Sequence, residues 1–105
     1  MSDVRIVLIT APDLAVAAGL GRALVEERLA ACANLVPQIT SIYRWEGAVQ
    51  EDSEVLMVVK TSAGRVAALT ERVLALHPYE VPEVLVLPIE SGAAAYLDWV
   101  RTSVE

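Results

Sequence analysis

Two spacings of apolar residues alternate along the chain. Val4 to Thr10 (VRIVLIT) is short, β-branched and nearly continuously apolar, the pattern of a strand buried on both faces in the middle of a sheet. Past Pro12 and Asp13 the period changes: Val16, Leu20 and Leu24 fall four apart with Ala17 beside them, while Arg22, Glu26 and Glu27 lie on other faces. That spacing predicts an amphipathic helix of about four turns, giving out over 29–33. Gly19-Leu20-Gly21 lies inside it and is not a dinucleotide fingerprint, because the third glycine would have to stand at Leu24 and no strand precedes the pair.

Ala33 to Lys60 is the stretch around which the rest is organised. Two strand-like runs, Ile39 to Trp45 and Val55 to Lys60, are joined through Glu46, Gly47 and Ala48, and strand structure across most of the stretch makes each arm about a dozen residues long, against a usual five or six. Arms of that length outrun a small domain's core. Their outer halves mix Tyr43, Trp45 and Val49 with Arg44, Glu51 and Asp52, which suits a ribbon covered by another chain. Pro37 cannot donate to a ladder and marks a bulge or an edge position.

At Thr61-Ser62 a hydroxyl is placed to cap a second helix, whose buried face is Val66, Leu69, Val73 and Leu76. His77-Pro78 closes it, since a residue before proline leaves the helical region. Glu83 to Ile89 (EVLVLPI) reads as a fourth strand, Ser91-Gly92 breaks it, and Ala93 to Thr102 is a short closing helix carrying Ala93, Leu97 and Val100 on one side. With right-handed crossovers this order predicts an α+β chain, a ferredoxin-like βαββαβ sandwich with strand order 4-1-3-2, an extended hairpin between the second and third strands and a short C-terminal helix. Both helices then cover one face of the sheet. The other face is also apolar, and three copies around an axis would bury it.

Composition narrows the function classes. The 105 residues make room for one domain, 1–105, with a core of its own. The chain is 55% hydrophobic, yet no run approaches the roughly 18 apolar residues of a membrane helix, so the surplus points to subunit contacts rather than a membrane. Eight Lys and Arg against 14 Asp and Glu give a net charge of -6, which repels phosphate backbones and argues against nucleic acid. The single cysteine, Cys32, has no internal disulfide partner, and Met1 to Thr10 lacks the features of a secretory signal. A cytoplasmic protein is expected.

Several segments, in this order, resemble the CutA family of divalent-cation tolerance proteins: residues 29–35 (LAACANL), 41–47 (SIYRWEG), 59–61 (VKT), 77–83 (HPYEVPE) and 96–99 (YLDW). The resemblance covers nearly the whole chain. It implies a ferredoxin-like fold, a homotrimer whose long hairpins pair between subunits, an architecture similar to the PII signalling proteins, and copper tolerance. It implies no established reaction.

The candidate chemistry is sparse. His77, the only histidine, resembles the histidine linked to copper in some members of that family; the plainer reading is a helix-end histidine bonding a carbonyl or facing water. Some relatives carry a second histidine and a cysteine where this chain has Leu76 and Ile9. Cys32 is a soft donor suited to Cu(I), or a small buried hydrophobe among Ala30, Ala31, Ala33 and Leu35. One chain supplies too few ligands for a metal centre, whereas one His77 per subunit near a threefold axis makes a shared site. Tyr43, Trp45, Tyr79 and Trp99 with Lys60, Glu80 and Glu83 form a second constellation, read either as an inter-subunit cleft for a small ligand or as an interface seal with salt bridges at its rim. No G-x-S-x-G, phosphate loop, H-E-x-x-H or cysteine pair is present, and the apolar neighbours of Cys32 argue against a reactive thiol. The reading is a non-catalytic homotrimer that binds a divalent metal, copper foremost, or a small ligand in its clefts, for tolerance or signalling. The alternative is a trimeric scaffold that docks a partner protein and has no metal role.

Overall fold

The computed structural model describes residues 2–105. Strand β1 is Val4–Ala11, helix α1 Leu14–Glu26, β2 Cys32–Trp45, β3 Ala48–Ser62, α2 Val66–Leu76, β4 Val84–Pro88 and α3 Ala94–Ser103. The strands form one antiparallel sheet in the order β2-β3-β1-β4, the expected ferredoxin-like arrangement.

Helix α1 begins where Asp13 accepts a hydrogen bond from the Val16 N–H at 2.8 Å, an N-cap worth about 1 kcal/mol. It ends in a Schellman turn: the Leu29 N–H reaches the Leu24 carbonyl at 2.9 Å and the Arg28 N–H that of Val25 at 3.2 Å, with Arg28 at φ 59° where glycine is usual. Leu20 and Leu24 point from α1, and Leu69 and Val73 from α2, onto Val7, Ile9 and Ala11 of β1 and Val55, Met57 and Val59 of β3. Each such large side chain contributes about 1.5–3 kcal/mol by burial. The hydroxyl expected to cap α2 is used otherwise: Ser62 makes no capping bond, a single 3-10 turn at Ala63–Arg65 intervenes, and Thr61 Oγ1 donates to the Leu29 carbonyl at 2.7 Å. That bond ties β3 to the end of α1.

Because strand side chains alternate, residues beside this core point the other way. There Leu8 lies opposite both Val58 and Leu85, and Ile6 opposite Leu87. Helix α3 covers one end of this second face, packing Val100 and Val104 against Val4 and Ala31. The remainder is uncovered within the chain, with Leu85 55% and Leu87 46% exposed.

The hairpin is as long as its sequence implied, 14 residues in β2 and 15 in β3. Only Val55–Ser62 of β3 pairs with β1, and Ala48–Glu54 has β2 as its sole neighbour. The tip is a two-residue turn with Glu46 at φ 50° and Gly47 at φ 78°, the backbone twist that suits a hairpin. Pro37 marks a bulge as expected: pairing jumps from Val36 with Leu56 to Ile39 with Glu54, and Gln38 takes φ 60°. Among the described residues no helix is long and apolar enough to cross a membrane.

Candidate functional site

Beyond the end of β1 the hairpin leaves the sheet, and the segment after α2 crosses in front of it. Between them lies an open cleft of about 570 Å³, lined by Thr10, Ser41, Ile42, Tyr43, Trp45, Glu54, Tyr79, Glu80, Val81 and Glu83.

His77 anchors the crossing segment. Proline at 78 ends α2, so His77 is extended at φ -72° and ψ 134°. Its Nδ1 accepts a hydrogen bond from the Tyr79 N–H at 3.1 Å, which leaves the proton on Nε2 to be donated to the Thr10 carbonyl at 2.7 Å. The residue is 7% exposed, and its ring sits 4.7 Å from the Tyr79 ring. Tyr79 in turn donates its hydroxyl to Glu54 Oε2 at 2.7 Å, and both burial and that bond raise its pKa. A chain of contacts thus runs from β1 through His77 and Tyr79 to the root of the free ribbon.

Glu54 is nearly buried, 9% exposed, and no buried side-chain polar atom among the described residues is left without a partner. Burial first, then the nearby Glu54 charge, raises the pKa of Glu83. On the ribbon Tyr43 donates its hydroxyl to Asp52, its diagonal neighbour across the strands, and this bond raises the tyrosine's pKa. Trp45 is 39% exposed. The lining includes three carboxylates and no Lys, Arg or His.

Of the residues singled out in the sequence, the fold brings Tyr43, Trp45, Tyr79, Glu80 and Glu83 to one cleft within a single chain. Lys60 and Trp99 lie outside it. Lys60 donates to Asn34 across the β2–β3 pair, and Trp99 stacks beside Tyr96 on α3 at 5.5 Å. Glu54 and Thr10 were missed, the first because an acidic residue in EDSEV reads as solvated, the second because its carbonyl rather than its side chain binds His77.

The residues of one chain do not fit a copper centre at His77 and Cys32. Both His77 nitrogens are already engaged. Cys32 lies opposite Lys60, which lies opposite Ile6, and Thr10 is about 13 Å further along β1 at the usual rise per residue. The Cys32 thiol instead meets the Tyr96 hydroxyl at 3.7 Å, a contact that with burial raises the phenol's pKa. No group of three or more His, Cys, Asp or Glu among the described residues is placed to hold a metal ion.

Comparison with known proteins supplies what the cleft alone does not. The family model described as CutA1 divalent ion tolerance protein matches residues 5–103. This chain belongs to the CutA1 family. It is 58% identical over 97 residues to the divalent-cation tolerance protein CutA of Thermus thermophilus, covering 92% of this chain and 94% of that one. It is 55% identical over 103 residues to the human protein CutA, of which it spans 58% of the length; the mouse protein gives the same figures. Among solved structures, CutA from Xylella fastidiosa superposes with a TM-score of 0.97 at 40% identity over 99% of this chain and 100% of that one. The Thermus thermophilus structure gives 0.94 at 55% identity over 97% and 99%. The CutA1 family is described by divalent-ion tolerance, not by a reaction, and membership supports a role in metal tolerance.

Proposed function

We propose that this CutA1-family chain acts in divalent-cation tolerance as a non-catalytic homotrimer of the PII-like kind. The observation that carries the assembly is the uncovered sheet face: Leu8, Val58, Leu85, Ile6 and Leu87 form an apolar patch that α3 leaves open, beside a ribbon with a partner on one side only. Monomers rarely present such a surface. Light scattering at micromolar concentration is expected to give about three chain masses. Leu85→Lys, at a position exposed within the chain, should reduce that to one while leaving the circular dichroism of the fold in place. A wild-type monomer overturns the assembly.

Copper is the cation proposed, because it heads the divalent affinity order and the sequence resembles relatives associated with it. Its ligands would have to come from more than one copy. The engagement of both His77 nitrogens favours the second reading, a trimeric scaffold that docks a partner protein and signals without a metal. Calorimetric titration with Cu(II) separates them. Saturable binding at one or one-third equivalent per chain, lost in His77→Ala or Cys32→Ser with the trimer intact, supports the metal. Weak binding indifferent to both substitutions favours the scaffold. The cytoplasm remains the proposed compartment, to be tested by cell fractionation.

A further inference from the structure

We infer that the Lys60 ammonium of one copy pairs with the Glu54 carboxylate of the next, at the root of that copy's hairpin. The inference rests on the trimer reading above and names the groups that one copy presents to another.

Lys60 stands on a surface that suits no lone cation. Side chains of β3 alternate, so Val55, Met57 and Val59 enter the core while Leu56, Val58 and Lys60 face the other way. Lys60 lies between Cys32 of β2 and Ile6 of β1, and Ile6 lies opposite Leu87. Ile6 and Leu87 belong to the apolar patch that further copies are proposed to bury. Lys60 is half-buried in the single chain and donates to the neutral side chain of Asn34. The salt bridges among the described residues are all made by Arg72 and Arg101. An ammonium taken from water into an apolar contact requires a carboxylate beside it.

The far end of the same face supplies one. Among the strand residues on this face, the register and the alternation leave only Lys60, Glu54 and Asp52 charged. Leu56 and Val58 stand between Lys60 and Glu54, which are about 20 Å apart at the usual rise per residue, too far to pair within one chain. A neighbouring copy whose acidic end meets this lysine makes the pair instead. In a threefold ring each contact joins different surfaces of two copies, so every copy gives one lysine and receives one. Strands stacked parallel and in register would set like charges together, which is costly at an interface.

Glu54 is the better partner of the two acids. Asp52 is exposed and already holds Tyr43. Glu54 is nearly buried, so its charge gains more from a cation. Tyr79 donates one hydrogen bond to it, and an ionised carboxylate has room for about three more. It also lines an open cleft to which its own chain contributes no basic side chain, and a long lysine stem reaches into such a space.

The test follows subunit exchange between isotope-labelled and unlabelled full chains by native mass spectrometry, with light scattering and circular dichroism on every sample. Lys60→Met and Glu54→Gln, whose amide still accepts from Tyr79, should each speed exchange by about tenfold or more. The double variant should stay within about threefold of the faster single one, because the pair is lost only once. Effects that multiply in the double variant, or single variants that exchange at the native rate, overturn the pairing and leave the trimer standing. A native chain that scatters as a monomer overturns the trimer and the pairing together.

Discussion

Nε2 of His77 lies 2.7 Å from the carbonyl oxygen of Thr10. This bond joins the segment after α2 to the last turn of pairing on the central strand, and it is the reason the only histidine of the chain reads as a strut. His77→Ala removes the donor and leaves the part-buried Thr10 carbonyl without it, at a cost of about 1–3 kcal/mol. Chemical denaturation should register that loss, with His77→Gln, which can still donate, falling between the two. A substitution without effect on the midpoint would show the bond to be dispensable.

Acid should stabilise the cleft. The pKa of Glu83 is raised in the fold by burial and by Glu54, so between its unfolded and folded values the native chain binds more protons than the unfolded one. The Glu83 contribution therefore favours folding at the acid end of that window and declines as pH rises through it. Glu83→Gln should flatten this part of the stability profile and raise stability at neutral pH relative to the native chain. Urea melts between about pH 4 and 7 test it, a window set by the carboxylate reference pKa and an upward shift.

Helix α1 carries a glycine where none is required and lacks one where the backbone invites it. Gly19 is exposed, with nothing within 4 Å of an added Cβ, so Gly19→Ala should stabilise by up to about 1 kcal/mol. Arg28 holds φ 59° in the Schellman turn, and Arg28→Gly should gain a similar amount by relieving left-handed strain. Gly21 is different, since a Cβ there would stand 3.2 Å from that of Ala33. Gly21→Ala should gain less than Gly19→Ala or destabilise. Thermal melts of the three variants check the order.

Arg72 on α2 holds Glu27 through two bonds of 2.9 and 3.0 Å, clamping the helices at their outer ends. Both side chains are about 40% exposed, so a double-mutant cycle should return about 0.5 kcal/mol. At 1 M salt the coupling should fall toward zero.

The fold was legible because its signals are local. VRIVLIT, the four-residue spacing of Val16, Leu20 and Leu24, and His77-Pro78 each determine an element without reference to the others, and few topologies accept the resulting order. Pro37 announced its bulge for the same reason. The cleft was legible only in part. Tyr43, Trp45, Tyr79, Glu80 and Glu83 stood out by residue type, but Lys60 and Trp99 share that chemistry and lie elsewhere. Glu54 could be found only by knowing which strand partner it faces. The destination of the Thr61 hydroxyl, the Leu29 carbonyl instead of a helix cap, depends on a contact 32 residues away.

The bulge at Pro37 and Gln38 has an arithmetical effect. Three steps along β2, from Val36 to Ile39, match two along β3, from Leu56 to Glu54, so one uncounted residue exchanges odd for even. Before it, Asn34 and Val36 share a side of the ribbon with Val58 and Leu56; after it, Tyr43 and Trp45 share that side with Gln50 and Ala48. β3 carries no extra residue across this span, so Gln50 and Ala48 keep the side of Val58 and Leu56, and their pairing with Tyr43 and Trp45 fixes where the aromatics stand. The aromatic wall is thus aimed by its partner strand, and the bulge is what lets β2 follow.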